Sequence, residues 1–404
     1  MSAPKFMRVH FIGIGGIGVS ALAQYYLAKG YTVTGSDFTS SEITDDLKKD
    51  GAKISIGKNI IPKAVDLIIY SPAAKIAKTK IPALSYPEAL GQLTKEYFTI
   101  AVTGTHGKTT TTAMLALILI RAGFDPTVII GTKMKEFDNT NFRAGKSKYL
   151  LIEADEHFAS FLNYWPQAIV ITNIEADHLD FYKNLKNIKA AFHKFISHLP
   201  KNGILINEKS INKKELLKIK KILKVPGDHN AYDALVALAA ARALKITDKV
   251  SLKALAEYKG AWRRFEIIKT KPFILIADYG HNPQKALATL KAAREKYPKK
   301  KIWCVYQPHQ YERTYFLFND FVRAFRKAPI DRLIITDIFD VAGRESKKTK
   351  QKVDSQKLVK AINKPSVIYL PKNKIVSYLK KAVSDGEVLI VMGAGDIYQI
   401  DKEL

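Results

Sequence analysis

Residues 98–117 read FTIAVTGTHGKTTTTAMLAL. An apolar run of strand length, Phe98–Val102, passes through Gly104 into Gly107-Lys108-Thr109 and then into a helix-forming run from Ala113. Glycines let backbone N–H groups approach an anion, and the start of the helix adds its positive dipole end. Lys108 brings a point charge to the terminal phosphates, and the Thr109 hydroxyl is placed to hold magnesium. The usual phosphate-loop spacing puts a further glycine where Val102 stands, so this loop is a shortened variant. The strand–turn–helix context predicts an ATP-type site, with Gly104, Thr105, His106, Gly107, Lys108, Thr109 and Thr110 around the phosphates.

Upstream, Val9-His10-Phe11-Ile12 leads into Gly13-Ile14-Gly15-Gly16-Ile17-Gly18 and an amphipathic run to Lys29. This is the strand–Gly-x-Gly-x-x-Gly–helix pattern of a Rossmann-like domain. A second strand ends at Ser36-Asp37, and an acid at that spacing normally meets a ribose. The pattern accepts any pyrophosphate, a dinucleotide or a nucleotide-sugar. Downstream of the phosphate loop, one strand ends in Glu153-Ala154-Asp155-Glu156 and another in Thr172-Asn173-Ile174-Glu175-Ala176-Asp177-His178-Leu179-Asp180. Ligands bind outside the carboxyl ends of parallel strands, which marks Glu153 and His178 as candidate ligands for a hard cation. Asp155, Glu156 and Asp180 read equally well as solvated helix caps. Asn230, opening an alanine-rich helix, is placed to face a nucleotide base.

From Arg263-Arg264-Phe265-Glu266 onward, strands again alternate with helices, the pattern of a second doubly wound domain. Its strand ends carry Asp278-Tyr279-Gly280-His281-Asn282-Pro283, Gln307-Pro308-His309-Gln310-Tyr311-Glu312-Arg313 and Gly393-Ala394-Gly395-Asp396. Lys347 to Gln356 reads as a charged, mobile loop. The fold class expected is thus α/β with three domains: Rossmann-like over 1–94, phosphate-loop ATP-binding over 95–262, and Rossmann-like over 263–404. The chain's 404 residues are ample for this. The formal charge of +27 comes from lysines scattered without any nucleic-acid-binding motif, so no nucleic-acid partner is expected. No apolar stretch reaches membrane-spanning length, and the single cysteine, Cys304, sits in an apolar run. A cytoplasmic protein with a buried, inert thiol and no membrane partner is expected, as a monomer or weak homodimer.

The motifs HFIGIGGIG, TGTHGKTTTT, EADE, TNIEADHLD, PGDHN, RRFE, DYGHNP, QPHQYERT and GAGD, in that order over nearly the whole chain, resemble the Mur ligase family. These are ATP-dependent ligases that build the peptide of the bacterial cell wall. The resemblance implies an amide bond formed between the lactyl carboxylate of UDP-N-acetylmuramate and L-alanine or a similar amino acid, through an acyl phosphate, with ATP and Mg2+. It implies that the first domain binds the UDP-sugar through Gly13, Gly15, Gly16, Gly18, Ser36, Asp37 and Ser71. Lys108 would hold phosphates, Thr109 and Glu153 one magnesium, and His178 a second. Asn230 and Arg264 would contact ATP, and Asp278 its ribose. Tyr279, His281 and Arg313 would lie near the amino acid, with His281 a candidate proton acceptor. Catalysis would rest on Lys108, Glu153, His178, Arg264 and His281. The chain departs from the family pattern at Asp233, where an asparagine is usual, at Asn282 to Lys285, and at Gln310. The stretch from Asn207 to Pro226, where relatives often carry a strand-rich insertion, is expected to be reduced. Two other readings stay open: a recycling ligase that attaches a tripeptide to the same sugar nucleotide, and an NAD-dependent oxidoreductase suggested by the first glycine motif alone.

Overall fold

The structure, a computed structural model, describes residues 7–74, 76, 78–340 and 347–404. The chain divides into two compact units, one of residues 1–222 and 232–258 and one of 223–231 and 259–404.

The first unit holds two sheets. Strands β1 (Arg8–Ile12), β2 (Thr32–Asp37), β3 (Lys53–Ile56), β4 (Leu67–Tyr70) and β5 (Ala83–Ser85) form an all-parallel sheet in the order β3-β2-β1-β4-β5. Its first crossover is the helix Ile17–Ala28. The second sheet contains β6 (Phe98–Thr103), β7 (Thr127–Met134), β8 (Thr140–Arg143), β9 (Tyr149–Glu153), β10 (Ala168–Ile171) and β11 (Ile204–Ile206), in the order β11-β10-β6-β9-β7-β8. Only the edge strand β8 runs antiparallel. Strands β6, β9 and β10 are nearly continuous apolar runs, as strands covered on both faces require, and Ile100, Ala101, Val102, Leu150 and Leu151 are completely buried.

One apolar core runs through both sheets of this unit. Tyr25 meets Phe142 edge-on at 6.3 Å, and Asn141 hydrogen-bonds Ser20 Oγ at 2.9 Å and Gln24 Nε2 at 2.7 Å. Lys133, only 7% exposed, reaches from β7 to Glu42 (2.8 Å) and Asp46 (2.9 Å) on the helix Glu42–Lys49. Residues 207–222 fold into two 3-10 turns and the helix Leu216–Ile222 rather than strands.

The second unit is built on β12 (Glu266–Lys269), β13 (Ile274–Asp278), β14 (Ile302–Tyr306), β15 (Arg332–Ile335), β16 (Val367–Tyr369) and β17 (Val388–Met392), in the order β12-β13-β17-β14-β15-β16, with β12 antiparallel. Separate apolar clusters cover its two faces. Cys304 is fully buried on β14, and burial, with Asp278 adding to it, pushes the thiol pKa up. The expected loop after Lys347 instead begins with the short helix Lys347–Lys350, its backbone carbonyls taken up in helical turns; residues 341–346 lie outside those described. Among the described residues no helix is long and apolar enough to cross a membrane.

In the helix Tyr86–Thr94, a Cβ on Gly91 would stand 2.3 Å from the backbone oxygen of Asn163. Gly91→Ala therefore forces backbone apart, and is expected to destabilise the first unit by ~1–3 kcal/mol, seen as a lowered thermal midpoint by calorimetry.

Candidate active site

Strands β10, β6 and β9 are parallel neighbours, so the chain leaves all three at one edge of the sheet. From β6 it enters the phosphate loop. Gly104 (φ +133°) and Gly107 (φ +80°) both need the left-handed region. A Cβ at Gly104 would lie 2.1 Å from Thr172 Oγ1, and one at Gly107 would lie 2.1 Å from Asp233 Oδ1. The loop is thus packed so closely that only glycine fits. Its shape is fixed by the exit of β10: Thr105 N–H donates to Asn173 O (3.1 Å), His106 N–H donates to Asn173 Oδ1 (3.0 Å), and Thr105 Oγ1 donates to Glu175 O (3.3 Å). The helix Lys108–Arg121 then starts without a side-chain cap, which leaves its first N–H groups to a ligand. Thr110 is buried in that first turn.

Lys108 Nζ donates to Gly104 O and to Glu156 Oε2, each at 2.8 Å, and stands 3.5 Å from Asp155. Burial alone would lower the Lys108 pKa, but the charges of Glu156 and Asp155 outweigh it and hold the ammonium above its ordinary value. Burial raises Glu156 to about 7, with Lys108 pulling it down and Asp155 adding to the rise. Desolvation would raise Asp155 as well, yet Lys108 and then His178 hold it below the usual carboxylate range. His178 (φ +50°) lies 3.7 Å from Glu156 Oε1, and burial lowers its pKa to about 4. Its imidazole is therefore neutral near pH 7, the form that binds metals. Thr109 Oγ1 donates to Glu153 Oε1 (2.7 Å), and Glu153 Oε2 accepts the Gly131 N–H (2.9 Å).

The expected ligands thus fall into two groups, Thr109 with Glu153 and His178 with Asp155 and Glu156. Asp155, Glu156 and His178 offer ligand atoms within 4.8 Å of one another. Glu156 Oε1 is buried without a hydrogen-bond partner among the described residues. Carboxylate oxygens with a neutral imidazole suit a hard divalent cation, so these residues fit magnesium. Glu156 was left open in the sequence because an acid after a strand also reads as a solvated cap; in the structure it is buried and paired with Lys108. The side chain of Asp180 lies outside those described.

Two residues beside this cluster carried no sequence signal. His157 stacks on His178 (centroids 4.1 Å, 14°), and Phe158 stacks on His157 (4.0 Å, 22°). Phe158 and Ala159 are both left-handed, at φ +53° and +54°. Such non-glycine residues cost ~1–3 kcal/mol each and concentrate at functional sites.

In the first sheet, Gly13 (φ +74°) donates its N–H to Ser36 O at 2.9 Å. Gly15 N–H donates to Asp37 Oδ2 at 2.8 Å, and Phe38 N–H donates to Asp37 Oδ1 at 2.7 Å. A Cβ on Gly18 would strike the Tyr86 ring at 2.8 Å, and one on Gly16 would come within 3.3 Å of Gly13 O. Ser36 is buried against Asn59, and Ser71 lies beside Gly13. Gly13, Gly15, Gly16 and Gly18 thus lie in one turn, with Ser36, Asp37 and Ser71 at the neighbouring strand ends and Asp37 bonded to the turn's backbone.

In the second unit, Asp278 is buried and accepts from Phe265 N–H (2.9 Å), Gly280 N–H (2.8 Å) and Thr289 Oγ1 (3.1 Å). Tyr279 and His281 meet edge-on at 5.2 Å, the His281 and His309 rings lie 6.3 Å apart, and Arg313 Nη1 donates to His309 Nδ1 at 3.1 Å. The three residues expected around an amino acid thus form one chain of contacts. Arg264 lies over the Tyr279 ring at 5.1 Å, and Asn230 Nδ2 donates to Pro226 O at 2.6 Å.

Residues 8–98 match the family description "Mur ligase family, catalytic domain", residues 102–222 "Mur ligase middle domain", and residues 263–395 "Mur ligase, glutamate ligase domain". The chain belongs to the Mur ligase family. It is 40% identical to a UDP-N-acetylmuramate–L-alanine ligase of Acetivibrio thermocellus, over 98% of this chain and 95% of that one. It is 39% identical to the Clostridium acetobutylicum protein of the same name, over 98% and 96%. A solved UDP-N-acetylmuramate–alanine ligase from Thermotoga maritima superposes with a TM-score of 0.77 at 27% identity, covering 98% of both chains. The first alignment runs over 456 positions against a chain of 404 residues, so it opens gaps in this chain. Neither alternative reading is favoured by these relatives.

A methyl group at Gly107 meets both a left-handed backbone and the Asp233 carboxylate. Gly107→Ala is expected to weaken ADP binding by at least about 10-fold, measured by titration calorimetry, with the fold retained by circular dichroism.

Proposed function

We propose that this protein is an ATP-dependent ligase that joins the lactyl carboxylate of UDP-N-acetylmuramate to L-alanine in cytoplasmic peptidoglycan precursor synthesis. The observation that carries the chemistry is the buried cluster of Lys108, Glu156, Asp155 and His178 beside the glycine loop, in a chain 40% identical to named ligases of this kind.

A carboxylate and an amine do not condense in water, so the carboxylate must first take the γ-phosphoryl group of ATP. That step drives an anion toward a polyanion. Lys108 stabilises the transferring group electrostatically, and Arg264 is assigned to ATP. Bound magnesium, held by Thr109 and Glu153 and by His178 with the Asp155–Glu156 pair, would neutralise phosphate oxygens. Asn230 and Asp278 are assigned to ATP, and the Gly13–Gly18 turn with Ser36, Asp37 and Ser71 to the UDP moiety.

The amine then displaces phosphate from the acyl phosphate. His281 Nδ1 lies 3.2 Å from Tyr279 O. A carbonyl only accepts, so Nδ1 carries the proton and Nε2 keeps its lone pair. Burial, then Lys285, Arg313 and His309, push the His281 pKa well below the ordinary value. His281 is therefore a neutral acceptor that orients the incoming ammonium, and a weaker base than its residue type suggests. Arg313 is assigned to the amino acid carboxylate. The domain division at 1–94, 95–262 and 263–404 belongs to the same proposal.

Phosphate release with ATP, Mg2+ and UDP-N-acetylmuramate should depend on an added amino acid, with L-alanine ahead of glycine, L-serine and the L-alanyl tripeptide. Lys108→Ala should lower kcat by at least about 100-fold. A faster reaction with the tripeptide, or equal rates without any amino acid, would refute the assignment.

A further inference from the structure

Arg264 is flanked by two residues in the left-handed region, Arg263 at φ +55° and Phe265 at φ +51°. Bulky residues keep that conformation only where their surroundings impose it. Here the contacts that impose it can be followed within the second unit. Arg263 N–H donates to Glu266 Oε2 at 3.0 Å, and Arg263 O accepts the Tyr279 N–H at 2.7 Å. Phe265 N–H donates to Asp278 Oδ2 at 2.9 Å, and Gly393 N–H donates to Asp278 O at 3.0 Å. The Arg263 guanidinium closes the circuit, because its Nη2 donates to Gly393 O and, at 3.2 Å, to Gly395 O. The turn 261–265, the exit of β13 and the exit of β17 are thereby joined in one ring of hydrogen bonds that carries the Arg264 backbone.

The side chain that closes this ring is shut away from ligands. Arg263 is 5% exposed, whereas Arg264 is half-buried. The Arg263 guanidinium carbon stands 4.4 Å from the ring centre of Tyr398, 4.9 Å from that of Tyr279 and 5.4 Å from that of Trp262. A flat cation suits ring faces and paired carbonyls together, which an ammonium does not. The loop it grips is rigid: a Cβ on Gly395 would fall 2.4 Å from Gln307 Oε1, and that oxygen accepts the Ile397 N–H at 3.1 Å. Arg263 Nε is nonetheless buried without a hydrogen-bond partner among the described residues, a cost that a purely stabilising contact would avoid. Both arginines lie over the Tyr279 ring, Arg264 at 5.1 Å. Relaxing Arg263 out of the left-handed region would therefore turn the Arg264 backbone and shift the ring beneath its side chain.

We propose that Arg263 is a positioning residue: it clamps the 261–265 turn to the exit of β17 and so sets the direction of the Arg264 side chain. The proposal rests on the reading of the protein as an ATP-dependent ligase in which Arg264 is assigned to ATP. It adds a residue whose loss is felt at the nucleotide without a contact to it.

The test is a double-mutant cycle on the full chain with Arg263→Met, Arg264→Ala and the double variant. Titration calorimetry with a non-hydrolysable ATP analogue and Mg2+ reads binding, and phosphate release with ATP, UDP-N-acetylmuramate and L-alanine reads kcat. Arg263→Met should weaken the analogue and lower kcat, each by about 10-fold, and should cost the analogue nothing further once Arg264 is alanine. Arg263→Lys keeps the charge but not the fit to two carbonyls and three rings, and should lose nearly as much. Parental values in Arg263→Met overturn the proposal. So does an equal loss in the Arg264→Ala background, which a merely structural role would give, and so does parental analogue affinity in Arg264→Ala. If circular dichroism shows Arg263→Met to be unfolded, Tyr398→Leu, which removes one ring from around the guanidinium, goes through the same cycle with an expected loss of about 3-fold, and the same outcomes decide. The cycle is read on nucleotide binding alone. A parental protein whose phosphate release does not depend on an amino acid refutes the ligase reading, while the coupling of Arg263 to Arg264 is still decided by the analogue.

Discussion

A single buried ammonium organises the phosphate-binding edge of this protein. Lys108 meets Glu156 at 2.8 Å and Asp155 at 3.5 Å, and Glu153 stands one residue from it through Thr109. Three carboxylates around one cation leave an excess of negative charge, and the cost falls on the most deeply buried member, Glu156, whose second oxygen has no hydrogen-bond partner among the described residues. Burying a charge without full compensation is expensive. On the proposed function, bound divalent cations would restore neutrality on the acidic side, and phosphates would then meet the lysine and the helix N-terminus. The backbone follows from the same demand. To bring Lys108 over the strand ends, the loop must pass between Thr172 and Asp233 with no room for a side chain at Gly104 or Gly107.

The central strands were legible because they are continuous apolar runs covered on both sides. Strands β5, β7 and β11 were not. β7 contains Gly131 and Lys133, which interrupt any apolar pattern, and each has a reason that lies far away in sequence. Gly131 makes room for Glu153, since a Cβ there would fall 2.7 Å from Glu153 Oε2. Lys133 is neutralised by Glu42 and Asp46, some ninety positions earlier. β5 and β11 are three residues long, too short for a period to register. The glycine loop, Glu153 and His178 could be placed at strand ends from the sequence because an apolar strand followed by glycines or acids marks its own carboxyl end. Glu156 could not be separated from a helix cap, and the His157–Phe158 stack depends on left-handed backbone that no local pattern announces.

Asp37 and Asp278 show a further limit on reading sites from spacing. Both stand at the carboxyl end of a strand, where an acid ordinarily faces a ribose. In the structure Asp37 accepts from Gly15 and Phe38 N–H groups, and Asp278 from Phe265, Gly280 and Thr289. A carboxylate accepting several N–H bonds is held rigid, and it fixes the shape of the turn it serves. The acid that defines a ligand-binding turn and the acid that touches a ligand occupy the same sequence position, so spacing alone does not distinguish them.

The joint between the first two sheets bears on catalysis through distance. On the proposed reading, a sugar nucleotide anchored by its pyrophosphate at the Gly13–Gly18 turn would have to deliver its carboxylate to Lys108, and the molecule between those points has a bounded reach. Attack requires reacting atoms about 3–3.5 Å apart, and a misplacement of about 1 Å costs orders of magnitude in rate. A loosely linked pair of domains would spend binding energy on finding that separation. Here the gap is set by contacts of three kinds: Tyr25 against Phe142, Asn141 bonded to Ser20 and Gln24, and Lys133 between Glu42 and Asp46. The apolar contact supplies cohesion, but it tolerates sliding. The Lys133 ion pairs and the amide hydrogen bonds do not, because any slip leaves the buried ammonium or amide without its partner. The polar residues in this joint therefore act less as a source of stability than as a ruler, and they explain why a lysine stands in a strand where an aliphatic residue would pack as well.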